Sequence, residues 1–182
     1  RRQRQVCIRD SRYTVALWFR AEAGTAGSRP LFDSRPSASG NASGIIVFLT
    51  EEGQISVQPR SATKGNQTLS SDTEEDYADG AWHHLTLVAG QRIGEPVALW
   101  VDGRQVISAT LTVEAALHAN LPLCFGRAYD STYWAAFDGA LADIRVWPRA
   151  LAEAEAAAVM DEGPAARDVT GALAATGDTL SQ

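Results

Sequence analysis

Histidine and cysteine, the residues behind most metal centres and nucleophilic sites, are scarce in this chain: three histidines and two cysteines in 182 residues. Two cysteines cannot complete a zinc or iron–sulfur site alone. Long apolar runs are missing as well. The longest, such as GIIVFLT at 44–50, fall far short of the ~18 residues that a membrane-spanning helix needs. Positive charge is in deficit, with 16 Lys+Arg against 22 Asp+Glu and a net charge of −6. Nucleic-acid backbones and anionic membranes both demand basic surface, so neither is the expected partner. The one basic cluster, Arg1 to Arg4, reads as a solvated tail. No apolar signal-peptide core follows it and the chain does not start with Met, so the expectation is a piece of a longer protein.

What is present is a soluble-domain composition, 45% apolar and 21% charged, in a chain long enough to bury one sizeable core. Short strands alternate with turn residues. In YTVALWFR, Val15, Leu17 and Phe19 fall on one face and Ala16, Trp18 and Arg20 on the other, a period of two that means strand. LFDSR at 31–35 reads as a short strand, and GIIVFLT as a buried one paired with QISVQP. Residues 60–80 are polar and read as a mobile surface loop with at most one short edge strand. Further strands are AWHHLTLVAG, EPVALWV, RQVISATL, LPLCFG and GALADIRVW. Asp102-Gly103 between two of them is a strong two-residue hairpin signal. One helix is expected, in LAEAEAAAVMDEG before Gly163-Pro164. The reading is an all-β, two-sheet antiparallel sandwich over 1–163. A tail, 164–182, reads as either a last edge strand or a disordered end.

The chemistry-bearing residues do not converge. On one strand, His83 and His84 point to opposite faces, and His118 lies elsewhere, so a three-histidine metal site is not expected. One histidine is expected to be partly buried and hydrogen-bonded, the other to face the sheet surface. No Gly-x-Ser-x-Gly elbow, activated cysteine or phosphate-cradling glycine motif occurs. The carboxylates of EEDYADG (Glu74, Asp76, Asp79) approach the alternating pattern of jelly-roll glycosidases. They run into a turn without apolar alternation, which favours a solvated acidic loop. Cys7 and Cys124 are either one long-range disulfide, which the chain-entropy model values at roughly 4–5 kcal/mol, or two separate thiols. Asn41 and Asn66 open Asn-x-Ser/Thr triplets, used for glycosylation only in a eukaryotic secretory pathway.

Several segments in order, YTVALWFRAEAG, DGAWHHLTLVAG, VALWVDGRQV, LCFGR and FDGALADIRVWPRALAEAE, resemble the laminin-G-like and pentraxin-like domains of the concanavalin A-like jelly-roll superfamily. The likeness spans about Tyr13 to Met160. It implies two stacked sheets of about six or seven strands each, a structural role for the Trp-His-His strand, and binding rather than catalysis. It also implies a calcium ion beside the rim loops. Of the ligand positions, Asp130 and Asn41 match, whereas Arg127, Ala128 and Tyr129 replace the acids and amides of the pentraxin pair. That leaves a single calcium, held by Asn41, Asp130 and backbone carbonyls, as the one cofactor expected. Thr86 stands where pentraxins carry a cysteine, which favours the broader laminin-G-like group. The loop 126–139 gathers Arg127, Tyr129, Asp130, Tyr133 and Trp134, aromatic and polar groups suited to a sugar or a protein hot spot. Alternatively, Trp134 and Phe137 fold back into the core. The function expected is a non-catalytic adhesion or binding module in a secreted or cell-surface protein, recognising glycan or protein. The alternatives are a glycosidase using Glu74 and Asp76, or a purely structural domain.

Overall fold

The computed structural model describes residues 12–23, 27–35, 43–72, 74–117, 123–129 and 134–162. Eleven strands and one helix lie among them: β1 (Tyr13–Ala21), β2 (Arg29–Asp33), β3 (Gly44–Leu49), β4 (Ile55–Ser61), β5 (Gly65–Asn66), β6 (Leu69–Ser70), β7 (Trp82–Ala89), β8 (Pro96–Val101), β9 (Arg104–Thr110), β10 (Cys124–Phe125), β11 (Gly139–Trp147) and α1 (Glu153–Asp161). They form two antiparallel sheets. Sheet A runs β11-β1-β7-β8-β9; sheet B runs β10-β2-β3-β4-β5, with β6 also paired to β4. The sandwich is the one expected, though its sheets hold five and six strands among the described residues rather than six or seven.

Alternation builds the interior. Val15, Leu17 and Phe19 of β1 meet Leu85 and Leu87 of β7, Leu99 of β8, and Ile45, Val47 and Leu49 of β3 in one core. Each is fully buried, and burying such side chains stabilises by roughly 1.5–3 kcal/mol each. Strand bounds depart from the sequence expectation where pairing decides them. β2 starts at Arg29 because Arg29 and Pro30 pair with Leu49 and Phe48, and a bulge before Phe32 absorbs the mismatch. The polar stretch after β4 yields two short strands, β5 and β6, on the flank of β4. The β8–β9 turn has positive φ at both Asp102 (50°) and Gly103 (75°), the two-residue geometry that Asp-Gly was expected to form.

Helix α1 covers the outer face of sheet A. Ala16 packs with Leu151 and Val159. The hydroxyl of Thr14 donates to Arg149 O (2.9 Å) and accepts from Leu151 N–H (2.9 Å), tying the helix approach to β1. Ala152 at the helix start has no side-chain cap, but Glu155 reaches back to accept from its N–H at 2.8 Å.

Both histidines of β7 serve the fold. His83 shares the interior side with Leu85 and Leu87 and ends the core. Its Nδ1 lies 2.7 Å from Asp102 Oδ2 and its Nε2 3.0 Å from Asp79 Oδ1. His84 points to the outer face, as parity requires, but does not meet solvent there: it is 3% exposed. It lines a cavity of about 70 Å³ with Thr86, Trp100, Gly103, Ala156 and Met160, so α1 covers the surface it was expected to face. Burial lowers its pKa, which keeps the ring neutral.

A candidate recognition face on sheet B

The outer face of sheet B is built from the opposite parity. In β3 the side chains of Ile46 and Phe48 leave the core and cluster with Ala128, with Trp134 packed against them. Strand pairing sets Gln58 beside Ile46 and Ser56 beside Phe48. Ser56 Oγ lies 2.8 Å from Ser70 Oγ, and Gln58 Nε2 donates to Thr68 Oγ1 at 3.3 Å. Ile46, Phe48, Ala128 and Ser56 are themselves buried, so what this face offers to solvent, above that buried shelf, is the half-buried Trp134 and Gln58 with the exposed Thr68 and Ser70.

Asp33 holds the shelf together. It is 1% exposed and accepts from four donors: Arg35 N–H (2.9 Å), Arg35 Nε (2.9 Å), Arg35 Nη2 (3.0 Å) and Tyr129 N–H (3.1 Å). A buried carboxylate demands this degree of pairing. The bidentate fork orients the guanidinium, whose carbon lies 5.3 Å from the Trp134 ring centre in a cation–π contact. Trp134 also stands edge-on to Phe48, centroids 4.8 Å apart. One carboxylate thus positions the indole through Arg35 and the 127–129 backbone through Tyr129.

Of the residues expected in the rim loop, Trp134 is half-buried on this shelf, neither inside the sandwich nor free, because Phe48 gives it an apolar seat outside the core. Phe137 does pack on the core. Tyr129 is 40% exposed, and Arg127 is exposed on the turn that follows Gly126. Asn41, Asp130, Tyr133, Cys7 and His118 lie outside the described residues. Asp33, Arg35, Phe48 and Ser56 were not singled out from sequence. The usable signal was the opposite charges of Asp33 and Arg35, two apart in a strand-like run and hence on one face.

Asn41 and Asp130, the side chains expected to hold calcium, lie outside the described residues. No group of three or more His, Cys, Asp or Glu side chains among them could hold a metal, and Asp33 is already taken up by its four donors. The carboxylates of the glycosidase alternative lie on an irregular segment with no strand. Glu74 is exposed, and Asp76 Oδ1 accepts from Ala78 N–H at 2.8 Å, so they do not form an alternating pair on one sheet face.

The sequence matches a laminin G-type family model of the concanavalin A-like lectin/glucanases superfamily over residues 3–157. The chain belongs to this family. Similar solved structures include the carbohydrate-binding module of the Ruminococcus gnavus IT-sialidase, bound to α2,6-sialyllactose. It is 11% identical, with a TM-score of 0.61, and the match covers 82% of this chain and 83% of that one. Domain 4 of the Geobacillus stearothermophilus arabinanase AbnA, in complex with arabinotriose, is 18% identical, with a TM-score of 0.60 over 82% of this chain and 66% of that one. A heptameric pentraxin from Limulus polyphemus is 16% identical, with a TM-score of 0.59 over 82% and 70%. At these identities the likeness establishes the jelly-roll fold of this laminin G-type domain. A search of curated protein sequences gave no match. Among the described residues no helix is long and apolar enough to cross a membrane.

Proposed function

We propose that this laminin G-type domain is a non-catalytic module that binds glycans on the outer face of sheet B, within a larger secreted or cell-surface protein. The observation that carries the reading is the Trp134 shelf. Its indole is held by Phe48 and by Arg35, itself locked on Asp33, on the face where Gln58, Thr68 and Ser70 reach solvent. Sugars present apolar C–H faces and a rim of hydroxyls, which suit an oriented aromatic next to short polar side chains. Similar folds bound to sialyllactose and arabinotriose support the ligand class.

The test is a glycan array, followed by titration calorimetry on whichever oligosaccharides bind. Trp134→Ala should weaken binding by roughly tenfold or more, as loss of an aromatic anchor does, with an unchanged melting temperature. Trp82→Ala, on the opposite sheet, should leave binding alone. Binding that survives Trp134→Ala would refute this face as the site. Hydrolysis of a bound polysaccharide, abolished by Glu74→Gln, would instead establish the enzyme.

A further inference from the structure

His84 lies on the outer face of sheet A, 3% exposed, in a strand paired on both sides. Its backbone is tied to the β8–β9 turn: the N–H donates to Asp102 Oδ1 at 2.8 Å and the carbonyl accepts from Asp102 N–H at 2.9 Å. Its ring is not tied. Among the described residues no hydrogen bond reaches either ring nitrogen. The ring leans on Trp18, centroids 5.1 Å apart, and lines the cavity under α1. Buried polar groups are ordinarily paired, so an unpaired imidazole at the seam between sheet and helix is an exception with a physical consequence.

The charges around that ring come from three elements. Asp102, in the β8–β9 turn, is engaged by His83 at 2.7 Å and by the His84 N–H. On β11, Asp143 accepts from Arg145 at 2.9 and 2.7 Å. On α1, Glu153 is the only carboxylate among the described lining residues. Burial lowers the His84 pKa; Asp102 and Asp143 oppose that, and Arg145 adds to it. A positive ring in the cavity would thus face Asp102 and Asp143 already engaged elsewhere, and the docked helix favours the neutral form.

The helix is the part that can yield. β7 is hydrogen-bonded to both β1 and β8, whereas α1 buries only Ala156 and Val159. Met160 rests on Gly103, where an added Cβ would stand 3.3 Å from the Met160 Cε. The surface pairs Arg149–Glu155 and Arg145–Glu162 hold its two ends, and such pairs contribute little. The Thr14 bonds hold Arg149 and Leu151, ahead of the helix, so α1 can lift while its approach stays fixed. Arg149 holds the Glu155 pKa down to about 2, so that pair keeps its charge across the range in which histidine titrates.

We propose that α1 is an acid-released cover of sheet A: a proton on the His84 ring undocks the helix and bares the surface of Ala16, Thr86 and Trp100. With α1 lifted, the ring meets water and takes its proton near the ordinary histidine value of about 6.5. With α1 docked, it takes the proton only at lower pH. Docking therefore stands at full strength above that value. Each pH unit below it shifts the equilibrium toward release by up to tenfold, until the docked ring is protonated as well. The bared surface belongs to the opposite sheet from Trp134, so the device stands apart from the glycan reading.

The test is amide hydrogen exchange on the full chain at constant salt, from about pH 8 down to about pH 5, with each rate corrected for its intrinsic pH dependence. Protection over Glu153–Asp161 should hold steady to about pH 7 and then fall by up to tenfold per pH unit, while protection in β1 and β7 stays unchanged. His84→Gln should abolish that fall. His83→Gln, whose ring faces the interior, and Glu153→Gln should both keep it. In the wild type, nuclear magnetic resonance should show the His84 ring gaining its proton as α1 loses protection. Constant protection of α1, a fall that survives His84→Gln or vanishes in Glu153→Gln, or a protonated ring under a still-protected helix would each overturn the proposal. The exchange series and the ring titration need no substitution and decide the matter even if His84→Gln fails to fold.

Discussion

His83 has a carboxylate at each ring nitrogen, Asp102 on Nδ1 and Asp79 on Nε2. Both bonds can be donated at once only by the doubly protonated ring. The edge of Tyr77 and the ring of Phe19 complete its surroundings, and Arg104, paired with Glu75, reaches the Tyr77 hydroxyl. The Asp102 hydrogen bond raises the His83 pKa, burial opposes it, and Asp79 adds to the rise. Asp79 is lowered, first by the Ala81 N–H and then by His83. Asp102 is lowered too: burial works against its ionisation, but His83 and the His84 N–H outweigh it. A raised histidine stabilises fully below its unfolded value of about 6.5 and loses that contribution as pH climbs through the folded value. The two lowered aspartates contribute above about pH 4 and lose it as acid protonates them. In urea denaturation, His83→Gln should therefore cost most near pH 5.5, about 1 kcal/mol once the half-exposed aspartates are discounted for solvent. The gap should narrow toward pH 9. A cost independent of pH would show that His83 acts by packing alone.

At the scale of elements, α1 is held less by its own sequence than by what precedes it. Its first turn lacks a side-chain cap, and only Ala156 and Val159 are buried. The tie is Thr14, fully buried on β1, which closes the Arg149 carbonyl and the Leu151 N–H together. Thr14→Val keeps the shape and removes both bonds, leaving two backbone groups unpaired under the helix. The expected cost is about 2–4 kcal/mol, with loss of amide protection over 149–161 in hydrogen exchange, whereas Thr14→Ser should be close to neutral. Nothing in YTVALWFR announces that role. The alternation of Val15, Leu17 and Phe19 was readable because a half-buried strand writes its period into the sequence, and Asp102-Gly103 because few residue pairs take positive φ twice. Thr14 looks like any β-branched strand residue, since its partners lie more than 130 positions away. The Asp33–Arg35 lock was hidden for the same reason. Two charged residues in a short strand look solvent-facing until Tyr129 and Trp134 are folded over them, and the covering of His84 was invisible until α1 was placed.

For the molecule as a whole, the decisive contacts are the distant ones. β1 lies between β7 and β11, so the inner strand of sheet A receives its second neighbour only from residues 139–147. Pairing of such separation closes large loops before any contact rewards it, so refolding should be slow for this size, in milliseconds to seconds. The same topology means that the stretch from β11 to α1 is integral to the domain. A chain ended at Asp138 lacks β11 and α1, which turns β1 into an open edge and strips the cover from Ala16, His84 and Thr86. β1 then presents unpaired backbone groups along its length, and the outer face of sheet A presents apolar side chains to water. That chain should show no cooperative thermal transition and no near-ultraviolet circular dichroism, while residues 1–162 should melt in a single step. A cooperative transition in the shortened chain within a few degrees of the longer one would mean that sheet B with β7–β9 is a self-sufficient core. In that case β1, despite its place between β11 and β7, would be an accessory strand.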